Sequence, residues 1–428
     1  MKSHAPFIIT ETEILNTNKV TRKATPQFEA ELHCKVSDKR GNVKFDKTFP
    51  FRSFVSNFAR ILNYGFCNVA NTGTITCADG GAPAASVHLM KVEEGALSSP
   101  TPSVYGIWIG NIAGNSGLTL NSPNSGIGGD PGYEDNILYN QIPADGDPAA
   151  AADTNVVYGA TTTYIDSGTV LRVTRRFTNN NASAIKISEV GLFGTDGTDS
   201  ILICRDRITD GSNAWVELAS SDIIDISYRF YVTDATGYTK NFLRYLSSEF
   251  AGGNTVENIV DTSGASAARD FTTARTDKDL MATATDDNFG ILVGGSVNSV
   301  PIGTSLSAND YKINDKLTNS QITHSAVTAL NTSDITQEDQ YSKFGVYRDF
   351  ENEGTTPIYV NRAGLVIKLT SAAKYYLLSS VLISGASTPY VVVQPGQILR
   401  IKYYFAFPLQ TRSFIVKPNP IEPNPILT

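Results

Sequence analysis

The chain has 428 residues, 41% of them hydrophobic and 18% charged, with a net charge of −7. That length exceeds one ordinary core and implies two or three domains, while a low, slightly acidic charge without a basic stripe excludes a nucleic-acid binder and a polybasic membrane segment. No stretch approaches the ~18 continuous apolar residues of a bilayer span, and the opening MKSHAPFIITETEIL lacks the apolar centre of a secretory signal.

Glycine, threonine, serine and asparagine are plentiful, and apolar runs are short and alternating. This is the profile of a mainly β chain with many turns. Cys34, Cys67, Cys77 and Cys204 form no CxxC and no zinc spacing with histidine, so reduced, structural thiols are expected.

Residues 1–26 read as an N-terminal arm. A hairpin follows over 27–51: Phe28, Ala30, Leu32, Cys34 and Val36 share one face, and Glu29, Glu31, His33 and Lys35 the other. The spacing predicts an amphipathic helix over 53–64, capped by Ser53, stopped at Gly65 and carrying Phe54, Phe58, Leu62 and Phe66 on one stripe. YGIWIG at 105–110 reads as a buried strand between tight backbone positions. Residues 111–155 are turn-rich. Their carboxylates, Asp130, Glu134 and Asp135, are weak calcium candidates through hard oxygen ligands, although the spacing departs from the EF-hand pattern. A run of strands closes this first unit at 233.

The same order is then written again. SNFARIL at 56–62 returns as KNFLRYL at 240–246, a shift of 184, so that Asn57, Phe58, Arg60 and Leu62 become Asn241, Phe242, Arg244 and Leu246. YGIWIG returns as FGILVG at 289–294 with the same shift. VTRRF at 173–177 returns as VYRDF at 346–350, and the Gly191 of SEVGLFG returns as Gly364 of NRAGLVI, both shifted by 173. The shortfall lies in the turn-rich loops, where length changes are tolerated. The expectation is two tandem related antiparallel β-sandwich domains, jelly-roll-like, at 27–233 and 234–408, each with one amphipathic helix sealed onto its own sheets by Phe58 and Leu62 or Phe242 and Leu246. Asn57 and Arg60, with their counterparts, should hold a turn or a neighbouring strand. Residues 409–428, with Pro418, Pro420, Pro423 and Pro425, read as an extended tail without a core of its own.

Chemistry is sparse. The four histidines are His4, His33, His88 and His324. None accompanies a nucleophile elbow, and neither phosphate-loop motif is present. His33 falls on a polar strand face, His88 in a strand and His324 in a polar loop. No catalytic residue, cofactor or enzymatic role is expected.

KISEVGLFG, SILICRDRI and VELASSDIIDISYRFYV, together with FRSFVSNFARIL after a hairpin turning through SDKRGNV, resemble a module of tailed-phage virion proteins. The resemblance covers most of 27–233 and, more weakly, 236–408, where NRAGLVI replaces SEVGLFG and LLSSVLIS lacks the arginine. It implies a non-enzymatic structural component of the tail, neck or baseplate, located in the virion. Its partners would be copies of itself and other virion proteins, with neither nucleic acid nor membrane. Two alternatives share the fold. One is a receptor- or glycan-binding protein of the tail-fibre or spike type, reading a host surface glycan with loops 111–155 and 296–345. The other is a capsid decoration protein.

Overall fold

The structure, a computed structural model, describes residues 7–15, 19–26, 29–50, 54–67, 75–77, 91–94, 105–110, 138, 156–195, 200–210, 212–213, 215–234, 237–252, 257–269, 278–301, 305–331, 335–337, 341–385 and 388–408. The chain opens on two hairpins, β1 (Phe7–Ile14) with β2 (Lys19–Pro26) and β3 (Glu29–Ser37) with β4 (Val43–Pro50). Helix α1 (Ser56–Cys67) follows. Then come β5 (Gly106–Gly110), β6 (Val156–Tyr158), β7 (Thr162–Asp166), β8 (Val170–Asn179), β9 (Ile185–Ile187), β10 (Glu189–Thr195), β11 (Ser200–Arg207), β12 (Val216–Leu218) and β13 (Ile223–Tyr231). The second half begins with α2 (Lys240–Ala251), β14 (Glu257–Val260), β15 (Ser266–Arg269), β16 (Lys278–Asp279) and β17 (Gly290–Val297). Short strands β18 (Thr323–His324), β19 (Thr328–Ala329) and β20 (Thr336–Gln337) precede β21 (Tyr341–Glu351), β22 (Ile358–Leu369), β23 (Lys374–Leu382), β24 (Val391–Val393) and β25 (Ile398–Pro408).

The protein is mainly β, built from open antiparallel sheets. In the first half, β4-β3-β13-β8-β6 form one sheet, with β7 also on β8, and β11-β10-β5 form another. In the second half, β2-β1-β25-β21 match the first of these, with β18, β19 and β20 beside β21. The second sheet is matched by β17 and β23 on either side of β22.

The segment expected as an arm is largely a strand pair in a sheet. β1 pairs with β25 from Phe7 opposite Ala406 to Ile14 opposite Leu399. It takes the place that β3 holds beside β13: Leu32 lies opposite Tyr228, and Thr10 opposite Tyr403. The reason is local. In the second half α2 starts at 240, just after β13 ends at 231, so no hairpin precedes it and its sheet takes one from the start of the chain. The buried face of β1 carries Thr10 and Thr12 beside Ile14, so hydrophobic alternation does not announce it.

Helix α1 begins and ends three residues later than expected, and Gly65 lies inside it. Phe66 and Cys67 are buried, which draws one more turn into the core. α2 does end on a glycine: Gly252 adopts φ 65° and its N–H returns to the carbonyls of Glu249 and Ser248.

Each helix spans both halves rather than sealing only its own. α1 packs on β11 of its own half and on β21 of the other, and α2 packs on β23 of its own half and on β7 and β8 of the other. The aromatic contacts repeat this exchange. Phe66 of α1 stacks on Phe405 of β25, with centroids 5.4 Å apart, and Phe250 of α2 meets Phe230 of β13 at 6.1 Å. The buried apolar side chains of the two halves therefore form one continuous cluster. Each fully buried phenylalanine contributes roughly 1.5–3 kcal/mol, so the two halves stabilise each other.

Candidate functional site

The repeated helix residues hold backbone in the same way twice. The Asn57 amide donates to the carbonyl of Thr76 at 2.8 Å and accepts the Thr76 N–H at 3.2 Å. Asn241 does the same with Val260, at 2.8 and 3.1 Å. Phe58 stacks on Phe54 at 4.3 Å, and Phe242 on Tyr238 at 4.2 Å. Leu62 and Leu246 are buried beside them. Arg60 reaches back one turn to the Ser56 hydroxyl at 2.6 Å, and Arg244 is half-buried.

Gly191 sits opposite Trp108, and Gly364 opposite Leu292. A β-bulge interrupts the ladder with β11 or β23 one residue later in each half. Both glycines sit in close packing. A Cβ on Gly191 would lie 2.7 Å from Leu138, and one on Gly364 would press on Ile313 and lie 2.9 Å from Leu377.

The most concentrated polar chemistry surrounds two buried arginines, Arg175 and Arg348, 1% and 0% exposed. Alternation places Arg175 on the face of β8 that also carries Leu171, Val173 and Phe177. Arg348 follows Phe344 and Val346 in the same way on β21. Arg175 donates from Nε to the Gly159 carbonyl at 2.8 Å and from Nη1 to the Ile107 carbonyl at 3.0 Å. Arg348 donates from Nε to the Ser325 carbonyl at 2.8 Å and from Nη1 to the Ile291 carbonyl at 3.1 Å. Ile107 and Ile291 are the equivalent residues of β5 and β17. Each arginine thus ties its large sheet to the small one behind it, where an apolar side chain could not satisfy the buried carbonyls.

The remaining contacts of each clamp differ. Arg175 Nη1 donates to Glu94 at 2.8 Å, and that carboxylate is also buried. Burial pushes the Glu94 carboxyl up to about 7 against the pull of Arg175, and burial lowers Arg175. Among the described residues Arg348 meets no carboxylate directly; its Nη2 donates to the carbonyls of Thr283, at 2.9 Å, and Asp286. Burial lowers Arg348 to about 10, with Asp286 and Asp287 acting against it.

Two further features repeat. The Asn179 amide donates to the carbonyls of Ser183 and Leu218, and the Asn352 amide to those of Thr356 and Val393. Arg176 forms a two-pronged pair with Asp225, at 2.7 and 2.9 Å. The equivalent positions in the second half hold Asp349 and Arg400, paired at 2.7 Å twice with the charges exchanged.

Motif reading does not single out Arg175, Arg348, Asn179 or Asn352 as site residues. The available signal is a charged or amide residue in the apolar register of an alternating strand, recurring at the repeat shift. His33 does lie on the solvent face, 2.7 Å from Asp46. His324 does not lie in a polar loop: it is in β18 opposite Phe350 and is 2% exposed. The segment around it is folded onto the sheets through buried Ile313, Leu317, Ile322 and Val327, because these apolar side chains punctuate an otherwise polar stretch. Cys34, Cys67, Cys77 and Cys204 are buried and outside any disulfide.

The calcium candidates Asp130, Glu134 and Asp135, and the tail prolines Pro418, Pro420, Pro423 and Pro425, lie outside the described residues. Among the described residues, no group of three His, Cys, Asp or Glu side chains is placed to hold a metal ion, and no helix is long and apolar enough to cross a membrane. The arginines face carbonyls and a carboxylate inside the core, an arrangement that fixes the spacing of the sheets. Comparison with protein families, curated proteins and solved structures finds no match to this chain.

Proposed function

We propose that this chain is a non-enzymatic structural component of a tailed-phage virion, in the tail, neck or baseplate, assembling through the faces of its two β-halves and through its terminal segments. The observation that carries the assembly part is the pairing of β1 with β25. Phe7 lies opposite Ala406, so the first described strand begins and the last one ends at one corner of the same sheet. A sheet corner where both ends of the described chain meet suits contacts to neighbouring copies or to other virion proteins. The matched clamps support the same reading, because they tie the two sheets of each half together. The virion assignment itself draws on the sequence resemblance.

Deleting 415–428 tests the assembly role. The truncated chain is expected to keep its melting temperature and to lose incorporation into particles. Normal incorporation counts against the proposal. The glycan-binding alternative is weakened for one of its two loops, since 305–331 packs on the sheets. Saturable binding on a glycan array would restore it.

A further inference from the structure

His324 occupies the second-half counterpart of Tyr158. Tyr158 lies opposite Phe177 in β8, with its ring edge-on at 4.7 Å, and His324 lies opposite Phe350 in β21, edge-on at 5.1 Å. The adjoining residue accepts from the clamp arginine in both halves, Gly159 from Arg175 and Ser325 from Arg348. The repeat has thus placed a titratable ring in a slot that its other copy fills with a phenol.

The slot is hostile to a second cation. Among the described residues, neither His324 ring nitrogen has a hydrogen-bond partner of ordinary geometry. Arg348 on β21 is held by the carbonyls of Thr283, Phe289 and Ile291, and by that of Ser325 in the His324 segment itself. The other charged groups that face the ring are Asp287, and more weakly Lys316, whose ammonium donates to the Asp287 carbonyl at 2.8 Å; the Asp286 carbonyl is the acceptor that favours a ring proton. The segment bearing His324 runs between two backbone anchors, Leu317 N–H on the Val293 carbonyl and Val327 N–H on the Ala282 carbonyl. Between them it is tied to the sheet by the two-residue β18, by Ser325, whose N–H donates to the Asp349 carbonyl and whose carbonyl accepts from Arg348, by the Thr323 hydroxyl on Glu353, and by buried Ile322.

We propose that residues 318–327 form a flap that opens in acid, latched by neutral His324 against Arg348. Protonating the ring in the closed state puts two cations together out of water, so the proton is taken up by the open state instead. Burial first and Arg348 second lower the closed ring from 6.5 to about 4. A depressed histidine loses its stabilising contribution as pH falls, here from the ordinary value near 6.5 down through 4. Between pH 7 and pH 5 the open-to-closed ratio should rise about 20-fold.

Hydrogen exchange of the full chain at pH 7 and pH 5, corrected for intrinsic rates, tests this. Peptides spanning 318–327 should show the 20-fold gain in opening while β10 and β11 show none. His324→Tyr, which installs the residue of the matching slot, should abolish the step. His324→Phe serves the same purpose if the tyrosine variant does not fold. A step that persists in the folded variant, a step shared by the whole chain, or no step at all overturns the proposal. So does an NMR titration of the unaltered protein in which the His324 ring titrates near 6.5.

Discussion

Replacing either clamp arginine by methionine should separate the two kinds of clamp. Arg175→Met leaves the buried Glu94 carboxylate without the cation 2.8 Å away. Removing one partner of a buried pair costs about 3–5 kcal/mol. Arg348→Met strands carbonyls only, at about 1–3 kcal/mol for each group left unsatisfied, and its total falls in the same range. Midpoint loss therefore does not discriminate; pH does. Burial already holds Glu94 at about 7, and without Arg175 its carboxyl rises further. A raised carboxyl contributes stability below its unfolded pKa, and that contribution is lost as pH rises. Each unit above 7 at which Glu94 is kept protonated costs about 1.4 kcal/mol. Arg175→Met should thus be about 2 kcal/mol further below the parent protein at pH 8.5 than at pH 7, and Arg348→Met should show no such difference. Urea unfolding followed by far-ultraviolet circular dichroism at the two pH values reads this directly. Adding Glu94→Gln to Arg175→Met should remove the pH step. Equal pH dependence for the two single variants would refute the assignment of Glu94 as the charge that Arg175 neutralises.

Asn57→Ala and Asn241→Ala should each cost about 1–3 kcal/mol, with faster hydrogen exchange at the Thr76 or Val260 amide as the local readout; unchanged exchange would contradict the pairing. Arg176→Asp or Asp225→Arg alone should cost about 0.2–1 kcal/mol, because the pair is partly exposed. The double exchange recreates the second half's arrangement and should recover the loss, measured as the coupling of a double-mutant cycle; zero coupling would show that the pair is incidental. Gly364→Ala should cost about 1–3 kcal/mol or more from overpacking against Leu377, whereas Gly41→Ala, which meets no neighbouring atom, should cost only the strain of its positive φ; similar losses at both would argue against the packing role.

The sequence by itself determines the local grammar of this protein. Period-two alternation marks β3, β8 and β13, period-four spacing marks both helices, and a constant shift aligns the two halves because duplicated elements keep their internal spacing. It also marks Asn57 and Asn241 as residues that hold backbone. Tertiary structure alone decides which edges meet. The addition of β1 to β25 is made by backbone hydrogen bonds between ends 385 residues apart, Ile14 to Leu399, and no local pattern encodes such a choice. The helices cross between halves because Phe66 and Phe250 find the opposite closing strands, so the two expected cores become one cluster. Arg175 and Arg348 stand in the apolar register of their strands, but only the assembled sheets show which carbonyls they meet. His324 reads as a loop residue until Ile322 and Val327 are seen to fold its segment against β21. Burial is a property of what comes to lie above a residue, and only the assembled sheets supply that.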